Sequence, residues 1–126
     1  MNPITNKMQI GAVGELLVQL RLLEHEIQAA PPLKDSGNDL IAVKGTSFKA
    51  LQVRTTTRLQ FSKPSEDRDY HILAVVHLDS DEDSVHLDRS RIFLVPKADV
   101  QAVPATILRL ATYSMTAEHV DRLFAE

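Results

Sequence analysis

The sequence predicts an α/β protein in which a mixed central β-sheet is flanked by helices. A helix-forming segment opens the chain, another closes it, and strand-forming segments lie between them. Two of these strands, at residues 71–77 and 91–95, are apolar almost throughout, as is usual for strands covered on both faces. The chain has 126 residues, the length of one ordinary domain, so we expect a single domain over residues 1–126.

The first helix is predicted from about Thr5 to Glu24. Gly11 and Gly14 interrupt it, and each lowers helix stability by up to ~1 kcal/mol relative to alanine. We therefore expect that another element packs closely against these glycines, or that the helix begins near Ala12. Apolar residues recur along it at helical spacing and form one stripe, namely Ile10, Val13, Leu16, Leu17, Leu20 and Leu23.

A β-hairpin is predicted from two strands, Asp39–Val43 and Phe48–Thr55. Gly45 occupies the first central position of a two-residue turn between them. An antiparallel hairpin centred between Gly45 and Thr46 pairs residues whose numbers sum to 91. This register is specific enough to predict which side chains stand opposite one another.

In that register, polar side chains collect at one end of the hairpin. Asp39 stands opposite Gln52, with Cβ atoms ~5 Å apart. Arg54 points to the same face because side chains alternate along a strand, whereas Leu51 and Val53 point to the other face, into a core. A carboxylate, a carboxamide and a guanidinium therefore converge.

The remaining segments complete the order helix, strands, long loop, strands, helix. The loop at residues 56–69 is polar and lacks periodicity, and loops of this length are often functional or mobile. Residues 106–111 are ambiguous between strand and helix. Ser114 or Thr116 caps a final helix. Its apolar side is formed by Val120, Leu123 and Phe124.

Four segments, in this order, resemble the PD-(D/E)XK nuclease superfamily, which has the restriction-endonuclease-like fold. They are Gly14-Glu15, residues 37–41, Leu51–Thr55 and Arg91–Pro96. The resemblance implies a mixed sheet flanked by helices. It also implies a Mg²⁺-dependent endonuclease that hydrolyses phosphodiester bonds in DNA.

The resemblance implies a catalytic role for four residues. Asp39 matches the metal-binding aspartate of the family, and Glu15 matches the helix glutamate that completes the metal site in many members. Gln52 falls where a second acidic ligand usually stands, and Arg54 falls where the family has lysine. Asp39, Glu15 and Gln52 are therefore the expected metal ligands.

Two departures from the family pattern weaken the expected activity. Gln52 offers a carbonyl oxygen to a hard cation but no charge, so Mg²⁺ would be held less tightly. Arg54 stays protonated and cannot act as a general base, although it can stabilise charge on a phosphate in the transition state. The metal ion would then have to generate hydroxide from its bound water. We expect a slow nuclease or an inactive one.

Charge is distributed unevenly along the chain, whose formal net charge is −3. Residues 40–65 contain no acid, and we expect this stretch and the 56–69 loop to contact DNA. The alternative is a solvated hairpin with a basic outer face. A domain of this size covers little duplex, so a homodimer is expected. The residues predicted to contact DNA are Lys44, Lys49, Thr55, Arg58 and Lys63.

The amino-acid composition indicates in which cellular compartment the protein is expected. Apolar residues make up 44% and charged residues 25%, the balance of a soluble protein with a core. No apolar run is long enough to span a membrane, so no membrane partner is expected. The absence of cysteine fits a reducing compartment and predicts a cytoplasmic protein.

Other interpretations of the same residues stay open at this point. Asp39 can simply close a turn, Arg54 can form a structural ion pair with Asp39 or Glu15, and Glu15 can be the solvated edge of a helix. Two rival functions follow. One is a catalytically dead nuclease-fold module that binds DNA or protein, and the other is an unrelated α/β interaction module.

Overall fold

The computed structural model describes residues 7–34, 37–81 and 84–125, and the predicted start of the first helix lies outside them. Helices occupy Lys7–Glu24 (α1), Lys97–Val100 (α2) and Ala117–Leu123 (α3). Strands occupy Gln28–Ala30 (β1), Leu40–Lys44 (β2), Ser47–Thr56 (β3), Ile72–His77 (β4) and Arg91–Pro96 (β5). Single turns of 3₁₀ helix occupy Leu87–Arg89, Ile107–Arg109 and Ala111–Tyr113.

The strands form one mixed sheet in the order β1-β2-β3-β4-β5. The central pair, β3 and β4, is parallel, and every other neighbouring pair is antiparallel. Helices and 3₁₀ turns pack on both faces, so the predicted fold class, an α/β protein with a mixed sheet flanked by helices, is confirmed. The short edge strand β1 was not predicted from the sequence.

The predicted hairpin register is also confirmed. Leu40 pairs with Leu51, and Lys44 pairs with Ser47, so the paired numbers sum to 91. Gly45 in the turn has φ of +60°, a left-handed conformation that glycine adopts without steric cost.

Two separate cores fill the two faces of the sheet. One lies beneath α1 and α3, and the other lies beneath α2, the last two 3₁₀ turns and the segment before β4. Successive residues of β4 alternate between them, with Ile72 in the first core and Leu73 in the second. This double coverage explains why β4 and β5 are apolar almost throughout.

The predicted apolar stripe of α1 is wrong in part. Three residues of α1 face the sheet and are fully buried, namely Leu17, Val18 and Leu22. Leu16 and Leu20, together with Leu23, point outward with 64%, 48% and 58% of their surface exposed. The helix carries two apolar faces, one buried and one exposed, and the spacing of the apolar residues along the sequence does not distinguish them.

Gly14 fixes which face of α1 meets the sheet. A Cβ atom at this position would lie 1.8 Å from Thr55 Oγ1 and 2.8 Å from Thr55 Cβ, so only glycine fits. The expectation of close packing is therefore correct for Gly14. It is wrong for Gly11, where a Cβ atom would meet nothing within 4 Å, and the helix already includes residues before Ala12.

The predicted loop at residues 56–69 is anchored on the second core. Phe61 is buried, and its N–H donates to the Ala105 carbonyl over 3.2 Å. Ile107 N–H donates to the Leu59 carbonyl over 2.7 Å. Lys63 Nζ donates to the Val103 carbonyl over 2.5 Å. The segment is thus part of the layer that covers β4 and β5.

The C-terminal region settles two open sequence interpretations. The ambiguous segment after residue 105 forms 3₁₀ turns. Thr116 is the N-cap of α3, where its hydroxyl accepts from His119 N–H over 3.1 Å, and Ser114 is not. Val120 and Phe124 are buried as predicted. Within the described ranges, no helix combines the length and apolar character needed to cross a membrane.

We expect Gly14→Ala to lower the free energy of unfolding by roughly 1–3 kcal/mol, because the new methyl group cannot fit beside Thr55. Gly11→Ala is the matched control. It adds the same methyl group on the same helix in open space, and should be neutral or stabilising by up to ~1 kcal/mol. Urea unfolding measures both, and equal effects of the two substitutions would contradict the close packing.

Candidate functional site

The edge of β3 is left uncovered where β2 begins. Leu40, the first residue of β2, pairs with Leu51, whereas β3 continues to Thr56. Asp39 lies at this boundary, and its N–H donates to the Leu51 carbonyl over 2.9 Å. Its Oδ2 accepts from Val53 N–H over 2.8 Å. One carboxylate oxygen therefore replaces the missing strand, and the other has no bond to the described residues.

Glu15 is held above β3 by the Gly14 contact. Its side chain is half-buried. Partial burial, and secondly the negative charge of Asp39, raise the pKa of the Glu15 carboxyl above its ordinary value. The structure therefore brings the two carboxylates within electrostatic reach of each other, and Glu15 is only partly exposed to solvent.

Gln52 is buried without a partner for its oxygen. The residue is 2% exposed, and its Oε1 finds no hydrogen-bond partner among the described residues. A buried acceptor left in this state costs about 1–3 kcal/mol. Asp39 is hydrogen-bonded to the main chain on either side of Gln52, at Leu51 and at Val53. The orphaned oxygen of Gln52 is the strongest indication of a ligand here.

Arg54 lies on the same face of β3 as Gln52. Within the described residues its guanidinium forms neither of the ion pairs considered from the sequence, and its one hydrogen bond is a 3.4 Å contact with the Val53 carbonyl. Burial raises the pKa of Tyr70, and the nearby charge of Arg54 opposes that rise. The half-buried guanidinium therefore remains available to an anion.

A second contact, which the sequence did not predict, fixes the start of β2. Asn38 Nδ2 donates to the Asp69 carbonyl over 3.2 Å, and Asn38 Oδ1 is buried without a partner among the described residues. Gly37 has φ of +93°, and a Cβ there would lie 3.3 Å from Asp69 N. This contact ties the end of the 57–69 segment to the residue before Asp39. The turn-forming glycine was the available sequence signal.

The predicted DNA-contacting residues are less concentrated at this site than the sequence suggested. Lys44 forms an ion pair with Asp121 over 3.0 Å, at the far end of the hairpin. Lys63 is bonded to backbone carbonyls, and the Thr55 hydroxyl is buried against Gly14. The remaining two are an exposed arginine and a half-buried lysine, Arg58 and Lys49.

The candidate metal ligands do not form the usual cluster of three or more acidic or histidine side chains. In the described part of the chain, no three His, Cys, Asp or Glu side chains form a group that could hold a metal ion. The set proposed from the sequence contains two such residues, Glu15 and Asp39, with Gln52 as a third oxygen donor. Carboxylate and carboxamide oxygens together suit a hard cation such as Mg²⁺.

The chain shares its fold with a solved nuclease structure. Neither a protein-family model nor a curated protein matches its sequence. The bacterial homing endonuclease I-Ssp6803I matches in structure, with a TM-score of 0.68 and 13% sequence identity, over 95% of this chain and 94% of that chain. The likeness shows a nuclease-like α/β fold.

Replacing Gln52 should separate stability from ligand binding. We expect Gln52→Met, which removes the orphaned oxygen at similar size, to raise the free energy of unfolding in EDTA by roughly 1 kcal/mol. Gln101→Met, at an exposed glutamine, is the control and should change little. Urea unfolding measures both, and a loss of stability in Gln52→Met would indicate that Oε1 has a partner.

The raised pKa of Glu15 predicts a pH-dependent stability. Below the ordinary glutamate pKa of ~4.3 the carboxyl is protonated in both states and contributes nothing. As the pH rises through the folded-state pKa, ionisation is harder in the native protein, so the free energy of unfolding falls. Glu15→Gln lacks this fall, and its advantage over wild type should grow from pH 4 towards pH 7.

Urea unfolding in EDTA across this pH range measures the effect. Glu26→Gln removes an exposed carboxylate just after the same helix and serves as the control. An advantage of Glu15→Gln that stays constant with pH would contradict the assignment.

Proposed function

We propose that this protein is a divergent PD-(D/E)XK nuclease that binds DNA and hydrolyses phosphodiester bonds slowly with Mg²⁺. The observation that carries the proposal is the buried, unpartnered oxygen of Gln52 at the edge of β3 where the Asp39 carboxylate is bound, within electrostatic reach of Glu15. The endonuclease fold of the matching structure supports the same conclusion.

The residues at the uncovered edge of β3 fit a divalent cation. Glu15 and Asp39 each offer a carboxylate oxygen, and Gln52 offers a carbonyl oxygen that is otherwise unsatisfied. A bound ion would also relieve the repulsion between the two carboxylates. When present, Mg²⁺ would lower the pKa of its bound water and polarise the phosphate.

The protein's own groups orient the site. The hydrogen bond from Val53 N–H fixes one oxygen of Asp39 and leaves the second directed to a ligand. Arg54 cannot remove a proton at any working pH, so its role is to neutralise charge that builds on the phosphate oxygens. The lack of a lysine general base at this position is the reason to expect slow turnover.

The charge around the site and the number of sites in one copy indicate which partners to expect, namely DNA and a second copy of the chain. Arg54 and Arg58 carry positive charge at or just beyond the end of β3, where the DNA backbone would pass. One copy has a single site of this kind among its described residues, so cutting both strands calls for a homodimer. The cysteine-free composition fits a cytoplasmic location.

Plasmid nicking tests the proposal. We expect conversion of supercoiled plasmid to open circles with Mg²⁺ or Mn²⁺ and none in EDTA. Arg54→Lys should raise the rate by about 10-fold or more, because a lysine can supply the missing proton transfer. Asp39→Asn should abolish nicking, yet keep the fold, because the amide oxygen still accepts from Val53 N–H.

Three results would count against the enzyme. They are a plasmid that stays intact in every variant, a thermal midpoint that neither ion changes, and activity that survives Asp39→Asn. Gln52→Met should reduce any rise of the midpoint caused by Mn²⁺, because one of three proposed ligands is gone.

A catalytically inactive DNA-binding module is the second candidate, and the arginine at position 54 favours it. This candidate predicts DNA binding that weakens as salt rises, without cleavage by wild type or by Arg54→Lys. Absence of DNA binding at low salt would leave only an interaction module.

A further inference from the structure

The outer face of α1 is apolar and uncovered. Leu16, Leu20 and Leu23 follow one another at the spacing of one helix face and are each about half exposed or more. Ala12 and Gln19 share this face, so no charged side chain lies within it from residue 12 to residue 23, and Glu15 and Glu24 border it on either side. We call these three leucines the leucine face. Contiguous exposed apolar surface of this kind marks protein interaction sites.

A groove lies beside the leucine face, between α1 and the edge strand β1. It encloses about 340 Å³. Its lining is uncharged and consists of Gln19, Leu20, Leu23, Gln28 and Ala29. Leu16, the most exposed of the three leucines at 64%, lies outside this lining, towards the other end of the helix. One surface therefore carries both a largely exposed leucine and an open apolar recess.

We infer that the leucine face binds a second copy of this chain, with the two α1 helices packed antiparallel about a two-fold axis. Leu16 and Leu23 are about 10 Å apart along the helix at 1.5 Å per residue. An axis midway between them places Leu16 of each copy against Leu23 of the other, at the groove. Both contacts form at once, as a two-fold interface requires.

The chemistry of this face selects a second copy over other occupants. DNA and anionic membrane surfaces are bound through lysine and arginine, and the leucine face has neither. An uncharged surface that has both an exposed leucine and an apolar recess can pack against a second copy of itself. The same helix carries Glu15, so the arrangement holds two candidate metal sites in a fixed relation and extends the homodimer proposed above.

Sedimentation equilibrium from ~1 μM to ~1 mM, without DNA or metal, tests the inference over the range of weak to moderate affinities. Wild type should pass from monomer to dimer. Leu16→Glu should raise the dissociation constant at least ~10-fold, since it buries an unpaired charge. Leu16→Gln, which adds no charge, should weaken the dimer as well. Each variant should keep the wild-type thermal midpoint at low concentration, since Leu16 is exposed in the monomer.

Two substitutions elsewhere are matched controls. Leu108 is 69% exposed on a 3₁₀ turn, and Phe48 is 63% exposed on the hairpin. Leu108→Glu and Phe48→Glu add the same charge to equally exposed apolar positions outside the leucine face. Both should dimerise as wild type does.

A mixing experiment tests the antiparallel register. Leu23→Lys alone should weaken the dimer, as Leu16→Glu should. In an equimolar mixture, glutamate at residue 16 of one copy meets lysine at residue 23 of the other, so a heterodimer should form.

The inference is overturned if wild type remains monomeric at ~1 mM, the weak limit of this range. It is equally overturned if Phe48→Glu, rather than Leu16→Glu, dissociates the dimer. It is also overturned if the mixture of Leu16→Glu and Leu23→Lys forms no heterodimer. Because no arm uses metal or DNA, these outcomes are independent of plasmid nicking. If the protein dimerises through the leucine face but does not cut DNA, this inference stands and the proposed nuclease activity is wrong.

Discussion

The hydrogen bond from Val53 N–H to Asp39 Oδ2 is the interaction on which the candidate site depends. It exists because β2 begins only at Leu40, opposite Leu51, while β3 continues to Thr56, so a main-chain donor is left for a side chain. That bond fixes the carboxylate at the sheet edge, beside Gln52 and within electrostatic reach of Glu15. A longer β2 would satisfy the same donor with a backbone carbonyl and would bury the edge under a strand. The short strand thus leaves this edge of β3 to side chains.

The site is assembled at the expense of stability. Two carboxylates repel each other, and the side-chain oxygens of Gln52 and Asn38 are buried without partners among the described residues. The cores on either side show the opposite pattern, since β4 and β5 are closely packed and almost wholly apolar. Local conflict of this kind at one edge of a well-formed sheet is expected where residues are arranged for a ligand.

Sequence reasoning succeeded where a local rule determines geometry. The Gly45 turn fixes the hairpin register from Lys44–Ser47 to Leu40–Leu51, and Asp39 follows directly at its end, where it bonds to the main chain of β3. It failed where tertiary contacts decide. Helical spacing cannot tell which of the two leucine-rich faces of α1 meets the sheet, because the answer depends on how closely Gly14 approaches Thr55. It also could not show that Lys63 is held by distant carbonyls, or that Asn38 binds Asp69, since those partners are far away in sequence.

Contact between α1 and β3 also bears on the order in which the molecule folds. The β2–β3 hairpin closes over a two-residue turn, whereas Gly14 and Thr55 are separated by the whole hairpin, so loop-closure entropy favours the hairpin first. The helix can seat only on a strand that is already in place. We therefore expect Glu15 to come near Asp39 only late in folding. For the same reason, a brief undocking of α1 would separate Glu15 from Asp39 while the sheet remained intact.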